Sequence, residues 1–151
     1  MIAIGDKAPD FTASDDAGND VSLVSLLSKG PLILYFYPAD FTPVCTAEAC
    51  GIRDLSEDLE GVDMQVVGVS PQNGSSHQRF KARYELPFPL ICDTSKTLIK
   101  AYGCNGPLGM GVRRATFLID EDGVVQDRVV SDFFAGSHVN FIKEILAERA
   151  S

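Results

Sequence analysis

A chain of 151 residues with a hydrophobic fraction of 45% is long enough to bury a core and is expected to form one domain over residues 1–151. Its net charge of −8 at pH 7, with no cluster of more than two lysines or arginines, argues against nucleic acid and anionic membranes as partners. No apolar run approaches the roughly 20 residues of a membrane span, and no signal peptide is evident. The four cysteines indicate reduced thiols in a cytoplasmic protein rather than a disulfide scaffold.

The chain alternates predicted strands with predicted helices. After an irregular lead-in over residues 2–27, a buried strand is expected at 32–37 and a helix at about 44–59, because apolar β-favouring residues give way to helical spacing after two prolines. The later elements are a strand at 63–70, a helix at 75–85, a short strand at 90–92, a helix at 95–102, a hairpin of strands at 115–120 and 124–130, and a helix from Ser137. This order predicts an α/β protein with a thioredoxin-like fold, in which helices flank both faces of a mixed central β-sheet.

The junction between the strand at 32–37 and the helix that follows it holds the first candidate reactive group. Cys45 lies in the first predicted turn of that helix, at the positive end of the helix dipole and near unpaired backbone N–H groups. Both features favour the thiolate, which is the nucleophilic form of cysteine.

Helical spacing predicts which side chains of this helix face the core. Steps of three and four residues place one stripe of side chains on a single face: Cys45, Glu48, Ile52, Leu55 and Leu59. Glu48 is therefore expected to point inward beside Cys45. A buried carboxylate needs a partner, and an arginine is the natural one.

The second cysteine of the helix, Cys50, points in a different direction. It lies about 140° around the axis from Cys45, and the two Cα atoms are expected roughly 8–9 Å apart in an intact helix. A disulfide rarely tolerates more than about 7 Å between Cα atoms. If Cys45 and Cys50 bond, this part of the helix must unwind, so a helix with a folded reduced state and a locally melted oxidised state is a hypothesis of the sequence.

Three segments of the chain resemble the peroxiredoxins. From Tyr37 to Glu48 the sequence YPADFTPVCTAE is similar to the family's active-site pattern of a proline, three residues, a threonine, two residues and a cysteine. The continuation Cys–Thr–x–Glu–x–Cys, ending at Cys50, resembles the bacterioferritin comigratory protein, or Q-type, branch. The segments RATFLID, from Arg114, and GDKAPDF, from Gly5, are also family-like.

The resemblance implies a thiol peroxidase that needs no metal or organic cofactor. Cys45 would attack the O–O bond of hydrogen peroxide or an organic hydroperoxide and become a sulfenic acid. Cys50 would then displace water to give an intramolecular disulfide, which thioredoxin or a similar dithiol would reduce by exchange.

The same resemblance implies roles for four further residues. The Thr42 hydroxyl would hold the thiolate and a peroxide oxygen in line, and the permanent charge of Arg114 would favour the thiolate and the developing anion. Pro38 would shield the pocket from water, and Glu48 would orient Arg114.

Several alternatives stay open at this point. Cys104 and Cys92 are expected to be structural, but either could replace Cys50 as the resolving cysteine. A thiol–disulfide oxidoreductase is disfavoured because a CxxC motif is absent, and a redox-sensing switch module is the non-enzymatic alternative. A monomer is expected, with a weak dimer as the alternative.

The sequence gives little reason to involve the remaining histidines and phenylalanines in the chemistry. His77 and His138 lie near predicted helix starts and are expected to be solvated. Phe41, Phe133 and Phe134 are expected in the core or, if exposed, at the edge of the pocket or of a dimer contact.

Overall fold

The computed structural model describes residues 1–150 of the chain. Its elements follow in the order β1 (Thr12–Ser14), β2 (Asp20–Ser22), α1 (Leu23–Leu27), β3 (Leu32–Phe36), α2 (Pro43–Arg53), α3 (Ser56–Gly61), β4 (Gln65–Ser70), α4 (Gly74–Tyr84), β5 (Leu90–Cys92), α5 (Thr97–Ala101), a 3₁₀ turn (Pro107–Gly109), β6 (Ala115–Ile119), β7 (Val125–Val130) and α6 (Ala135–Ala150). None of the helices described is long and apolar enough to cross a membrane.

A five-stranded mixed sheet in the order β5-β4-β3-β6-β7 forms the centre of the fold. β3 pairs in parallel with β4 and antiparallel with β6, while β6 and β7 form the predicted antiparallel hairpin. The predicted mixed sheet of a thioredoxin-like fold is therefore confirmed. β1 and β2 form a separate two-stranded hairpin, of which the sequence indicated only short extended pieces.

Alternation along β3 divides the core into two layers, because successive side chains of a strand point to opposite faces. Leu34 and Phe36 pack in one layer with residues of α1 and α5, and Ile33 and Tyr35 pack in the other. The second layer holds the inward faces of α2, α3, α4 and α6. Helices therefore cover both faces of the sheet, as predicted.

The prediction of one helix over residues 44–59 is wrong, because the chain forms two helices with a break at Asp54 and Leu55. The carbonyl of Ile52 accepts the Leu55 N–H at 3.0 Å, a tightened i→i−3 bond, and also the Ser56 hydroxyl at 3.4 Å. A serine hydroxyl that bonds the backbone in this way competes with regular helix geometry. The break lies beyond Cys50, so both cysteines remain in the one helix α2.

The last helix begins two residues before Ser137, which was expected to cap it. The N–H of Ser137 bonds instead to the carbonyl of Phe134 at 3.3 Å, within the first turn. The buried face of α6 carries Ile142 and Ile145, each at most 4% exposed.

Candidate active site

Cys45 lies in a buried position just after the loop that connects β3 to α2. Thr42 precedes α2 in an extended conformation and Pro43 is its first residue, a position where the missing N–H of proline costs nothing. Cys45 is the third residue of the helix and only 1% exposed. The Thr42 hydroxyl donates to the carbonyl of Ala39 at 3.0 Å, and Pro38 is half-buried in the same loop.

Strand pairing brings Arg114 to Cys45 across 69 positions of sequence. Because β6 runs antiparallel to β3, with Ala115 opposite Phe36, the start of β6 lies at the sheet end where β3 leads towards α2. Arg114 is 7% exposed, and its Nη1 donates to Cys45 Sγ at 2.8 Å.

Asp132, just after β7, holds the arginine in place. Its backbone carbonyl accepts from Arg114 Nε at 3.0 Å, and its carboxylate accepts from the Arg114 backbone N–H at 3.1 Å. The same carboxylate accepts from Arg113 Nη2 at 2.9 Å. The hydrogen bonds from Arg113, which outweigh the effect of burial, keep the pKa of Asp132 below its usual range.

Glu48 lies on the buried face of α2, as predicted, and is fully enclosed. Its Oε1 is 4.0 Å from Arg114 Nη1, so the expected arginine is present at salt-bridge distance. Neither carboxyl oxygen, however, has a hydrogen-bond partner among the described residues. Burial raises the pKa of Glu48 to about 8, although the charge of Arg114 opposes the rise.

Both histidines are fully buried, so the prediction that they are solvated is wrong. His138, on α6, has Nε2 at 2.9 Å from the carbonyl of Ser131 and Nδ1 at 2.8 Å from the Thr116 hydroxyl. Its Nδ1 is also 3.4 Å from Glu48 Oε2. The spacing of His138 from Ile142 and Ile145 is helical and would have placed it on the buried face.

His77, on α4, forms a second buried cluster with the loop before α2. Its Nδ1 is 2.7 Å from Asp40 Oδ2, and the same carboxylate accepts the hydroxyls of Tyr37 and Ser76, each at 2.7 Å. Burial alone would raise the pKa of Asp40, but the hydrogen bonds from His77, Ser76 and Tyr37 lower it below its usual value. Asp40 was not singled out from the sequence, where it appears as one polar residue in a loop.

Helix α4 also contacts the far end of α2. Arg53 Nη1 donates to the carbonyl of Tyr84, the last residue of α4, at 2.8 Å. The chain is thus attached to α4 both before and after the turns of α2 that contain Cys45 and Cys50.

The three other cysteines occupy different environments. Cys50 is half-buried on α2, whereas Cys104 is fully buried in the layer on the opposite side of the sheet from Cys45. Cys92 lies at the end of β5, 3.6 Å from the carbonyl of Asp15. Burial raises the pKa of Cys92 to about 11 and that of Cys104 to about 12, which disfavours the thiolate at both positions.

The phenylalanines expected in the core are exposed. Phe41 is 47% exposed and directly precedes Thr42, with its ring packed on Phe80 and Tyr84. Phe133 and Phe134 follow Asp132 and are largely solvent-accessible.

Comparison with known proteins gives concordant similarities. Residues 4–128 match the AhpC/TSA family. A putative peroxiredoxin bcp of Coxiella burnetii is 45% identical over 130 residues, which cover 82% of this chain and 85% of the relative. The crystal structure of peroxidoxin BcpB from Mycobacterium tuberculosis has a TM-score of 0.91 and 35% identity over 98% of both chains. A Xanthomonas campestris bacterioferritin comigratory protein, described for its alkyl peroxide reduction activity, has a TM-score of 0.84 and 26% identity over 93% of this chain and 92% of its own.

Proposed function

The chain belongs to the AhpC/TSA family and is a peroxiredoxin, a thiol peroxidase, and we propose that Cys45 is its peroxidatic cysteine. The observation that carries this assignment is the 2.8 Å contact between Arg114 Nη1 and Cys45 Sγ in a buried site at the start of α2. A guanidinium cannot be deprotonated in a protein, so this hydrogen bond stabilises the sulfur most when the sulfur is an anion.

In the proposed first step, the Cys45 thiolate attacks the terminal oxygen of a hydroperoxide ROOH. The S–O bond forms as the O–O bond breaks, giving the sulfenic acid and an alkoxide that takes a proton from solvent to become the alcohol. Sulfur is oxidised by two electrons, and the peroxide is reduced by two.

Thr42, Arg114 and Pro38 position this reaction. Because the Thr42 hydroxyl donates its proton to Ala39, its lone pairs are available to accept the O–H of the peroxide. Arg114, oriented by the Asp132 carbonyl, donates to the oxygen on which charge develops. Pro38 contributes an apolar ring without an N–H to the loop.

We infer that Cys50 is the resolving cysteine. Cys50 lies on the same helix as Cys45, whereas Cys104 lies beyond the sheet and the burial of Cys92 and Cys104 disfavours their thiolates. Attack of the Cys50 thiolate on the sulfenic acid forms the disulfide and releases hydroxide, which solvent protonates to water. Since α2 is continuous from Pro43 to Arg53, the Cys45–Cys50 bond requires its first turns to unwind.

The substrates and the thiol reductant follow in class from the family, and we propose their finer identity. Hydrogen peroxide and organic hydroperoxides are the proposed substrates, the latter supported by the alkyl peroxide activity of the Xanthomonas relative. Thioredoxin or a similar dithiol is the proposed reductant, acting by exchange. A single-domain monomer, with a weak dimer as the alternative, in the reducing cytoplasm is the proposed form of the protein.

A disulfide map tests the cycle. The reduced protein is treated with one equivalent of hydrogen peroxide, digested without reductant, and searched for linked peptides by mass spectrometry. A Cys45–Cys50 link is expected. A link from Cys45 to Cys104 or Cys92 would contradict the assigned resolver, and an unmodified Cys45 would contradict the assigned nucleophile.

A further inference from the structure

Glu48 is buried without any hydrogen bond that would stabilise a negative charge. Its side chain is fully enclosed, and neither oxygen has a hydrogen-bond partner among the described residues. The nearest cation, Arg114, is 4.0 Å away and directs its hydrogen bonds to Cys45 and Asp132. A buried ionised carboxylate normally requires paired charges and hydrogen bonds.

His138 offers Glu48 no N–H when its ring is neutral with the proton on Nε2, because Nδ1 then accepts the Thr116 hydroxyl at 2.8 Å. A backbone carbonyl can only accept, so the Nε2 that faces the carbonyl of Ser131 must carry the proton. Burial, assisted by the charge of Arg114, lowers the pKa of His138, which favours the neutral ring. The Nδ1 that lies 3.4 Å from Glu48 Oε2 is then unprotonated and cannot donate to a carboxylate.

Of the titratable groups that face Glu48 in the described structure, Arg114 alone favours its ionised form. Cys45 lies one turn earlier on α2, and a thiolate there would repel a carboxylate. Tyr35, on β3, is enclosed beside it, and burial raises the pKa of that phenol well above its ordinary value, so it is a neutral group. Arg114 and His138 complete the set. An uncharged Glu48 leaves the charge of Arg114 to the sulfur, which agrees with the pKa of about 8 for Glu48.

Glu48 also lies between the two cysteines, on the part of α2 that must unwind if they bond. Resting on the proposed Cys45–Cys50 disulfide, we propose that Glu48 is an uncharged acid in the reduced, helical state and releases its proton when α2 unwinds. Glu48 thereby links the thiol–disulfide equilibrium of this protein to pH.

The sign of the linkage follows from the two environments of the carboxyl group. Its pKa is about 8 in the helical state and returns to the ordinary value of 4.5 when solvated. The helical state is therefore most favoured below pH 4.5, the pKa of the solvated carboxyl group. This preference is lost as the pH rises through about 8, the pKa of Glu48 in the helical state. Between the two values, disulfide formation releases one more proton than in a protein without this group, a tenfold change in the equilibrium constant per pH unit.

The test compares the native protein with Glu48→Gln, an uncharged isostere that does not titrate. Each is equilibrated with mixtures of oxidised and reduced dithiothreitol between about pH 5.5 and 7.5, and the Cys45–Cys50 disulfide is quantified by thiol alkylation and mass spectrometry. The pH dependence of dithiothreitol and of the cysteines themselves is common to both proteins. We expect the equilibrium constant for oxidation of the native protein, divided by that of Glu48→Gln, to rise about tenfold per pH unit. This is equivalent to a difference of about 30 mV per pH unit between their reduction potentials.

The matched control is Glu57→Gln on α3, where the carboxylate is exposed and outside the unwinding segment. For this variant we expect the equilibrium constant for oxidation to depend on pH as it does in the native protein. Equal slopes for the native protein and Glu48→Gln would overturn the inference while leaving the peroxidase cycle intact. Absence of any Cys45–Cys50 disulfide would overturn the inference and the proposed cycle together.

A second measurement needs no substitution at Glu48. The chain has two histidines, so ¹⁵N NMR of the reduced protein resolves the protonation state of each ring. We expect His138 as the neutral ring with its proton on Nε2. An imidazolium at His138 in the reduced state would place an N–H against Glu48, imply a carboxylate there, and overturn the inference.

Discussion

The guanidinium of Arg114 bonds Cys45 and Asp132 at the same time through two different nitrogens, which a lysine ammonium cannot do. Arg114 uses Nε to bond the Asp132 carbonyl and Nη1 to contact Sγ, so one planar group is fixed at both ends. A lysine at this position has a single nitrogen for both partners.

Arg114→Lys is therefore expected to slow Cys45 oxidation although the charge is kept. Loss of one charge-assisted hydrogen bond predicts a roughly 10- to 100-fold lower second-order rate constant for hydrogen peroxide, measured by stopped flow. Arg113→Lys is the matched control, because Arg113 bonds the Asp132 carboxylate but is not bonded to the sulfur, and its effect should be much smaller. Equal effects of the two substitutions would contradict the assigned role of Arg114.

The Thr42 hydroxyl supports a second prediction at this scale. Thr42→Val keeps the shape of the side chain but removes the oxygen that bonds Ala39 and accepts from the peroxide, so the rate constant for Cys45 oxidation should fall about tenfold or more. Thr42→Ser restores the oxygen and should recover most of the rate. A valine variant with full activity would exclude the hydroxyl from the reaction.

At the residue scale, helical spacing predicted the inward direction of Cys45 and Glu48, because both lie on an apolar stripe. The partnership of Cys45 with Arg114 came only from the family resemblance, since it depends on a β3–β6 register that local sequence does not specify. The position of His138 near a predicted helix start indicated a solvated ring, whereas its helical spacing from Ile142 places it on the buried face of α6.

Helix α2 packs unusually close to α6 where Gly51 meets Val139. A Cβ built on Gly51 would lie 2.5 Å from Val139 Cγ2, which is closer than side chains can approach. Valine is stiff at χ1, so it cannot simply turn away. The glycine is thus required by the helix contact, although glycine weakens a helix interior.

Gly51→Ala is expected to destabilise the reduced protein despite the better helix propensity of alanine. Overpacking costs about 1–3 kcal/mol, and the 2.5 Å approach to Val139 favours the upper part of this range, above the roughly 1 kcal/mol gained in propensity. Thermal unfolding of Gly51→Ala, Val139→Ala and the double variant checks this. The double variant should recover stability relative to Gly51→Ala, whereas additive losses would show that the two positions do not interact.

The break between α2 and α3 could not be predicted from hydrophobic spacing. The apolar stripe continues through Leu55 to Leu59, so spacing alone predicts one helix. The break depends on the hydrogen bond from the Ser56 hydroxyl to the Ile52 carbonyl, and hydrophobic spacing carries no information about such a bond.

For the whole molecule, the sheet separates Cys104 from Cys45, because the two lie in core layers on opposite faces. The strand and helix order predicted the mixed sheet and its flanking helices. It did not predict that Cys104 would lie in the opposite layer from Cys45, because that depends on how the chain packs after α5.

This separation predicts different results for two cysteine variants. Cys50→Ser should consume one equivalent of peroxide per Cys45 and then stop turning over with thioredoxin as reductant, because no second thiol of the chain forms a disulfide that thioredoxin can reduce and Cys45 itself is only 1% exposed. Cys104→Ala should sustain turnover, with a loss of stability of about 1 kcal/mol from the small cavity. Turnover is followed by peroxide consumption over several equivalents. Sustained turnover of Cys50→Ser would contradict its assignment.

The attachments of α4 on both sides of α2 give the proposed cycle a kinetic property. Asp40 is bonded to His77 before the helix, and Arg53 is bonded to Tyr84 at its end, so the unwound stretch is a short tether between fixed points. When the disulfide is reduced, re-formation of the helix needs no search through the rest of the chain. Helix–coil relaxation of a short segment takes on the order of a microsecond or less. We therefore expect re-formation of the helix to be faster than the bimolecular encounter with reductant or peroxide, and not to limit the proposed cycle.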